Sequence, residues 1–304
     1  MQVSIIIVNY NTKELLKNCL SSIFAQTKDI DYEIIVSDNG STDGSLEMLE
    51  KDFPKVIVIA NGKNLGFGAA NNRGLEKATG KYIFYLNSDT ILLNNAVKFF
   101  YDYFEEHDNN TLGAIGGMLL DSNKQYTFSG GTFPTLNNEI IDLIKLNIGN
   151  IYLTIGTILK FKNMHKDHSC NEYYGNIDFI SGADIFLKNN NFAKFDEDFF
   201  LYYEETFLQY KLHQANLERK LIAGPQIIHL NGGSIGEKIT IYRKASFSRI
   251  NYEFSRIKFL RKTTNKTIIS NLGISFCKFL ILLSWINPFI IRKTHKYFAT
   301  IKNL

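Results

Sequence analysis

The first 120 residues alternate between short apolar runs and amphipathic helical stretches, and this alternation limits the possible folds more than any other feature. Helical spacing of apolar residues predicts helices between the runs, the first of them with Thr12 as its N-cap. The runs themselves predict buried strands and read VSIIIV, EIIVS, VIVIA, YIFYL and LGAIGGML. Such alternation predicts an α/β fold with a mostly parallel sheet and helices on both faces.

Polar residues follow the predicted strands at the points where the strands end. They are Asn9, Tyr10, Asn11, Ser37, Asp38, Asn39, Asn61, Asn64, Asn87 and Asp89. The carboxyl ends of parallel strands meet at one sheet edge, so these side chains are expected to converge on one crevice. Asn and Asp there can bind a base or a ribose, and Gly66 and Gly68 permit close backbone approach. Ordinary turn formation is the alternative explanation.

Two further pairs of residues are candidates for metal binding and for catalysis. Asp89 and a distant histidine, His229, are candidate ligands of a hard divalent cation such as Mg²⁺ or Mn²⁺, and a purely structural histidine is the alternative. Glu204 and Glu205 lie in the aromatic stretch FDEDFFLYYEETFLQYKLHQ, which predicts a helix with one apolar face formed by Phe200, Tyr203, Phe207 and Tyr210. A carboxylate beside apolar walls is suited to act as a general base, although paired glutamates on helices are more often simply solvated.

The charge is divided unevenly along the chain. From Arg243 to Leu304 there are 13 Lys or Arg residues and one acid, Glu253, which leaves 21 basic and 29 acidic residues in the first 242. The basic segment also holds the most apolar window, 268–291.

Three isolated cysteines without CxxC spacing argue against a disulfide framework or a zinc site and favour a reducing compartment. The N-terminal run predicts a strand and not a signal peptide.

Helical spacing in that apolar window separates two kinds of residue. One stripe is polar, with Asn271, Ser275 and Lys278. The opposite stripe is apolar and comprises Ile269, Leu272, Phe276, Phe279, Leu280 and Leu283. Together with Trp285 and the flanking cations, this pattern favours an amphipathic helix that lies in an anionic membrane surface. A buried core helix or a homodimer interface is the alternative.

Seven motifs span about Val3 to Ser234 and read VSIIIVNYNT, SDNGSTDGS, NLGFGAANNRGL, YLNSDT, ISGADIFLKN, FDEDFFLYYEETF and IIHLNGGS. In this order they resemble those of family-2 glycosyltransferases, and the chain most resembles the rhamnosyltransferase-like subgroup that builds bacterial cell-surface polysaccharides such as O-antigen and capsule. The resemblance implies a GT-A fold with a nucleotide-sugar-binding half at 1–120, an acceptor-binding and catalytic half at 121–240, and a membrane-associating helical region at 241–304.

The resemblance also implies roles for individual residues. Asp89 would bind a Mg²⁺ or Mn²⁺ that bridges the donor diphosphate, with His229 as a metal or diphosphate contact. Glu205 stands at the position of the catalytic Asp, with Glu204 as the fallback base. Asn87 replaces the first Asp of the metal motif, and Phe207 replaces an acid after the base. Substrate contacts would come from Asn9, Tyr10, Asn11, Asp38, Asn64, Gly66, Asn71, Asn87, Gly182, Ala183, Asp184 and Glu204.

The expected activity is inverting, metal-dependent transfer of a sugar, with rhamnose from dTDP-rhamnose as the favoured donor, to a lipid-linked or saccharide acceptor. The expected location is the cytoplasmic face of the inner or plasma membrane, peripherally bound, without nucleic acid as a partner. A sugar-phosphate nucleotidyltransferase is a rival, but NYNTKE lacks the Gly-rich, Arg-containing loop of such enzymes. A catalytically degenerate nucleotide-sugar-binding scaffold of a polysaccharide assembly complex is the non-enzymatic rival.

Overall fold

The structure is a computed structural model, which describes residues 1–107, 111–158, 171–230 and 247–285, with only the helical backbone for 152–158 and 285. The described residues form two compact units. The sheet unit comprises 1–107, 111–133, 171–200 and 204–230. The helical unit comprises 134–158, 201–203 and 247–285.

The sheet unit contains eleven strands and six of the helices described. Its strands are β1 (Val3–Asn9), β2 (Tyr32–Asp38), β3 (Ile57–Ala60), β4 (Tyr82–Leu86), β5 (Thr90–Leu92), β6 (Leu112–Leu120), β7 (Gly130–Gly131), β8 (Gly175–Asn176), β9 (Phe179–Ile180), β10 (Asp184–Lys188) and β11 (Glu218–His229). Its helices are α1 (Lys13–Gln26), α2 (Ser45–Asp52), α3 (Phe67–Leu75), α4 (Ala96–His107), a short 3₁₀ turn (Asn191–Ala193) and α6 (Glu204–Gln214).

The main sheet has the order β3-β2-β1-β4-β10-β6-β11-β5, and β8 pairs with β11. Six of these nine strands run in one direction, while β5, β8 and β10 run in the other. Alternate residues of β1 serve opposite faces of the sheet. Ile5 and Ile7 pack against α1, α2 and α4, and Ile6 packs in a second core with α6. The predicted α/β class and GT-A architecture are confirmed.

The helical unit consists of α5 (Leu136–Ile158), α7 (Phe247–Thr263) and α8 (Ile268–Trp285). A weak helical pattern in the sequence at 138–148 lies within α5. Both predicted halves, 1–120 and 121–240, contribute strands to the one main sheet, and the predicted domain boundaries stay a prediction. The Gly-Gly-Ser motif at 232–234, the side chain of Trp285, and Asn287 and Pro288 lie outside the described residues.

The predicted helix over the aromatic stretch 195–214 is wrong in its first half, because α6 begins only at Glu204. The backbone explains why. Asp196 forms a turn by accepting a hydrogen bond from the Asp198 amide, and Tyr202 and Tyr203 have φ of 68° and 67°, which a right-handed helix does not allow. Phe200 and Tyr203 therefore do not share a helix face with Phe207 and Tyr210.

Thr12 precedes α1 as predicted, but its side chain does not cap the helix. The Thr12 hydroxyl donates instead to Asn9 Oδ1 at 2.7 Å. The first helical amide, that of Lys13, is bound by Asp43 Oδ2 at 2.8 Å, so the cap comes from a residue 30 positions away.

Candidate active site

The carboxyl ends of β1 and β2 are joined by side chains as well as by backbone. The parallel register pairs Asn9 with Asp38, and Asn9 Nδ2 donates to Asp38 Oδ2 at 2.7 Å. The other carboxylate oxygen of Asp38 accepts from the amides of Gly40 and Ser41. Both Asn9 and Asp38 are fully buried. They hold the shape of this loop, and the part of the β1 tip that faces solvent is Tyr10, 44% exposed.

An asparagine network fixes the loop after β3. Asn39 Nδ2 donates to the Gly66 carbonyl at 3.1 Å and to Asn64 Oδ1 at 3.3 Å. Asn64 Oδ1 also accepts from the Gly66 amide, and Asn61 Nδ2 donates to Asn39 Oδ1. These side chains were predicted to converge at one edge, and the structure shows that much of their bonding capacity is used among themselves.

Gly66 approaches the protein chain itself. Its backbone has φ 89° and ψ 173°, a region open almost only to glycine. A Cβ built on Gly66 would lie 2.2 Å from the carbonyl oxygen of Phe200, which already accepts from the Phe67 amide. The glycine thus locks this loop onto the segment that leads to α6.

We expect Gly66→Ala to lower the melting temperature far more than Gly62→Ala. Gly62 is a matched control because its φ is also positive, 69°, but a Cβ there meets nothing within 4 Å. A left-handed backbone alone costs a residue with a Cβ about 1–2 kcal/mol, and Gly66→Ala adds the clash with Phe200. Thermal unfolding of both variants measures the difference, and equal melting temperatures would show that the loop moves freely away from Phe200.

The turn after β4 brings together the two predicted metal ligands. β11 pairs with β5 so that His229 lies opposite Thr90, the neighbour of Asp89. The Leu230 amide donates to the Asp89 carbonyl at 3.0 Å. Consequently Asp89 Oδ1 and His229 Nε2 are 3.3 Å apart, with side chains 15% and 12% exposed. The structure therefore places these two residues in contact, at the edge where β4 ends.

Asn87 completes this cluster. Its Nδ2 lies 3.5 Å from His229 Nε2. Its Oδ1 is buried and has no hydrogen-bond partner among the described residues. Because a buried amide oxygen without a partner is costly, such an atom indicates a missing ligand or ion. Asp89 Oδ1 and His229 Nε2, with the Asn87 amide beside His229, are ligand types that Mg²⁺ or Mn²⁺ accepts.

Cys19 lies directly behind this turn. Its thiol is 3.6 Å from the Asn87 carbonyl and 3.5 Å from Thr90 Oγ1. Burial, with a smaller contribution from the negative charge of nearby Asp89, raises the pKa of Cys19 to about 12. A neutral, buried thiol is a poor metal ligand. Cys19 therefore packs behind the turn, and Asp89 and His229 remain the candidate ligands.

Glu205 lies at the start of α6 beside the turn between β9 and β10. A Cβ built on Gly182 would lie 3.4 Å from Glu205 Cγ, so the Gly182 backbone packs beside the Glu205 side chain. Burial raises the pKa of Glu205 above its usual range. Hydrogen bonds from the amides of Glu205 and Thr206 and from the Thr206 hydroxyl only partly offset this effect. A carboxylate of this kind is suited to accept a proton near neutral pH.

Glu205 and the Asp89 cluster are connected by a short path of contacts. The Asn87 amide donates to the Ala183 carbonyl at 3.1 Å. The residue before Ala183, Gly182, packs against Glu205. On the other side, Ser88 Oγ is 3.0 Å from Thr12 Oγ1, which ties the turn to the β1 tip. The polar strand ends, the Asp89–His229 pair and the candidate base Glu205 thus line one continuous edge of the sheet unit.

The remaining predicted residues occupy supporting positions. Asn71 donates to the Phe67 carbonyl within α3, and Asn11 accepts from the Thr42 amide. Glu204 is buried, 3% exposed. Asp184 is fully buried in the sheet and accepts from the Gly117 amide, and burial raises its pKa well above the usual range, which favours the neutral acid. This placement favours a structural role for Asp184 over contact with substrate. All of these substrate-binding assignments stay predictions.

The sequence analysis missed Gln209, which holds α6 against β9. Gln209 Oε1 accepts from the Ile180 amide and its Nε2 donates to the Ile180 carbonyl, both at 2.8 Å. The same Nε2 lies 3.2 Å from the Glu205 carbonyl. In the sequence, the sign of Gln209 is a polar residue placed between Leu208 and Leu212. In the structure all three side chains are buried. Gln209 is a positioning residue for Glu205.

We expect Gln209→Glu to lower stability by about 1–3 kcal/mol, because it leaves the buried Ile180 carbonyl without its donor. The matched control is Gln214→Glu, the same change at the exposed end of α6. Denaturant unfolding measures the stability difference. If Gln209 positions Glu205, Gln209→Glu also shifts the acidic limb of the activity profile, which Gln214→Glu leaves in place. Equal stability of the two variants would contradict the bidentate contact.

The profile of the family described as "Glycosyl transferase family 2" matches residues 4–163, more than half of the chain. The chain belongs to glycosyl transferase family 2. The match covers β1 to β6 and therefore the strand ends and the turn that carries Asn87 and Asp89. It ends before Gly182, Glu205 and His229, whose places in the site come from the structure.

Two relatives illustrate the family's range. The chain is 37% identical over 124 residues to a poly(ribitol-phosphate) beta-glucosyltransferase of Bacillus spizizenii, covering 39% of this chain and 20% of that protein. It is 28% identical over 267 residues to YfnE of Bacillus subtilis, an uncharacterized glycosyltransferase, covering 73% and 62%. The chain therefore spans less than two thirds of the length of either relative.

Solved structures support the same fold. Staphylococcus aureus TarS residues 1–349 in complex with UDP-GlcNAc match with a TM-score of 0.54 at 15% identity, covering 94% of this chain and 73% of that one. The mannosyltransferase PcManGT of Pyrobaculum calidifontis in complex with GDP-Man and Mn²⁺ matches with a TM-score of 0.52 at 13% identity, covering 93% and 72%. At these identities the likeness concerns the fold.

Proposed function

We propose that this family-2 chain transfers a sugar from a nucleoside diphosphate donor to an acceptor hydroxyl, with a divalent cation and with inversion at the anomeric carbon. The observation that carries the proposal is the continuous path from the Asp89–His229 pair through Asn87, Ala183 and Gly182 to Glu205. It provides one end suited to a metal-bound diphosphate and another suited to a general base.

The metal end fits Mg²⁺ or Mn²⁺. Asp89 supplies a carboxylate, His229 a ring nitrogen, and Asn87 a buried amide oxygen that has no hydrogen-bond partner among the described residues. These residues would hold the cation together with phosphate oxygens of the donor, as is usual for such cations. When bound, the cation would stabilise the negative charge that develops on the departing diphosphate. PcManGT, a neighbour of the same fold, contains Mn²⁺ with GDP-Man.

The base end accounts for acceptor activation. Glu205 would accept the proton of the acceptor hydroxyl while that oxygen attacks the anomeric carbon and the diphosphate leaves. Its raised pKa brings its basicity closer to the working pH, and Gly182 packs beside it without a side chain. One displacement of this kind inverts the anomeric configuration. Glu205 stands where the resembling family has an Asp. Its side chain is one methylene longer but carries the same carboxylate.

The donor's nucleotide would lie along the β1 and β2 ends. Tyr10 offers an exposed ring there for a base, while Asn9 and Asp38 hold the loop that frames it. TarS, a neighbour of the same fold, binds UDP-GlcNAc. For this chain, rhamnose from dTDP-rhamnose is proposed as donor, and a lipid-linked or saccharide acceptor in cell-surface polysaccharide synthesis is proposed with it. This finer assignment rests on the motif resemblance, and the names of the relatives above do not specify rhamnose.

A donor panel tests the proposal. The protein is incubated with dTDP-rhamnose and with UDP- and GDP-sugars, with Mn²⁺, with Mg²⁺ or with chelator, and sugar release is followed by proton NMR. The expected result is metal-dependent hydrolysis of one donor class, with the inverted anomer appearing first. Donor binding without turnover, and without transfer to any saccharide acceptor, would favour the scaffold interpretation. Release of the retained anomer would contradict the single displacement.

A further inference from the structure

Helix α8 presents three different faces. Its inner face packs within the helical unit, where Ile274, Cys277 and Ile281 share a core with Leu143 of α5 and Leu260 of α7. The predicted polar stripe, Asn271, Ser275 and Lys278, lies on a second face. Leu280, which the sequence analysis placed in the apolar stripe, belongs to the inner face.

The third face of α8 is apolar and exposed. We call it the outer stripe, and it consists of Ile269, Leu272, Phe276, Phe279 and Leu283. Their exposed fractions are 82%, 65%, 43%, 55% and 42%. Steps of three and four residues keep these side chains on one side of the helix. An uninterrupted row of large apolar side chains is unusual on a protein surface and indicates a contact with an apolar environment.

The chain around the outer stripe is rich in basic residues. Arg261 and Lys266 are exposed at the end of α7 and in the connection to α8. Lys266 comes only three residues before Ile269, the first residue of the outer stripe. The one acid between 247 and 285, Glu253, is buried and pairs with Arg256 at 3.0 Å. With seven Lys or Arg residues to that one acid, 247–285 is a strongly cationic stretch.

We propose that the outer stripe of α8, with the exposed cations that precede it in the chain, docks the protein onto an anionic lipid surface. Apolar side chains beside cations match the acyl boundary beneath anionic headgroups. A second copy of the chain is a poorer match. A two-fold interface would bring the same cations of each copy towards each other. Within the described part of the chain no helix is long and apolar enough to cross a membrane.

Vesicle sedimentation of the full chain tests this docking. Wild type is expected to sediment with vesicles of phosphatidylcholine mixed with phosphatidylglycerol, and less with phosphatidylcholine alone. Leu272→Asn with Phe279→Asn should weaken partitioning at least about tenfold, because two apolar side chains no longer enter the lipid. The matched control, Asn271→Ser with Ser275→Asn on the polar face of the same helix, should partition like wild type.

A charge variant keeps the test decisive if the stripe variant misfolds. Arg261→Gln with Lys266→Gln should weaken binding to the anionic vesicles by about fivefold per charge, with the melting temperature as folding control. Wild type that stays in the supernatant with anionic vesicles would overturn the proposal. So would a wild-type dimer, measured by light scattering, that the stripe variant converts to monomers without loss of vesicle binding. Nucleotide binding by these variants is expected to be unchanged, so this test is independent of the proposed transferase activity.

Discussion

Asp89→Asn is expected to abolish metal-dependent binding of nucleoside diphosphates and to lower sugar transfer about a hundredfold or more. The substitution keeps the shape of the side chain but removes its charge. Asp89 contacts His229 at 3.3 Å next to the buried Asn87 oxygen, so the variant leaves a neutral set of donors that holds a divalent cation weakly. The diphosphate then loses the charge that stabilises it as a leaving group.

A thermal-shift titration with UDP, dTDP and GDP, each with and without Mn²⁺, measures this effect. Saturating a folded-state site at a hundred times its dissociation constant stabilises the protein by about 2.7 kcal/mol, and that gain should be present in wild type and absent in Asp89→Asn. The control is Asp102→Asn, which removes a carboxylate paired with Lys98 on the surface of α4. An unchanged Mn²⁺-dependent shift in Asp89→Asn would place the metal elsewhere.

Glu205→Gln is expected to lower kcat by about 10²–10⁴-fold and to leave the donor dissociation constant unchanged. The amide cannot accept the acceptor's proton, but it keeps the volume beside Gly182. Since burial raises the pKa of Glu205, wild-type activity should fall as the pH drops through a value above that of an ordinary glutamate. The base must be ionised to act, so the loss lies on the acidic side.

Glu204→Gln distinguishes the two neighbouring carboxylates. If Glu205 is the base, Glu204→Gln retains the acidic limb and most of kcat, while Glu205→Gln loses both. Single-turnover transfer kinetics across the pH range separates these results. The reverse pattern would assign the base to Glu204, and equal activity of wild type and Glu205→Gln would remove the base from this helix altogether.

The sheet and its polar edge were predictable because they depend on local patterns. Continuous apolar runs and strand–helix alternation predict β1 to β4 as parallel strands of one sheet, and parallel register then aligns strand ends such as Asn9 and Asp38. Residues that follow such strands must share one edge. This reasoning found Asp89 from its place after β4 alone.

The contact between Asp89 and His229 was not predictable from the pattern, because it depends on long-range pairing. β5 lies at the far end of the strand order, beside β11, although it follows β4 directly in the chain. No local signal gives that order. The left-handed Tyr202 and Tyr203 are a second case, since aromatic residues rarely adopt such φ values and the pattern therefore extended α6 too far.

For α8, the sequence showed an apolar stripe but not which apolar residues would be covered. Packing against α5 and α7 uses Leu280 with Ile274, Cys277 and Ile281, and leaves the neighbouring apolar row exposed. A hydrophobic pattern alone cannot separate two adjacent apolar faces of one helix. That distinction required the tertiary structure, and the outer stripe follows from it.

The most direct test of the donor site is an anomalous diffraction measurement on crystals grown with Mn²⁺ and a nucleoside diphosphate. We expect an Mn²⁺ peak within coordination distance of Asp89, His229 and the Asn87 amide oxygen, with phosphate oxygens completing the site and the base near Tyr10. A peak away from Asp89, or bound nucleotide without a metal at Asp89, would contradict this expectation.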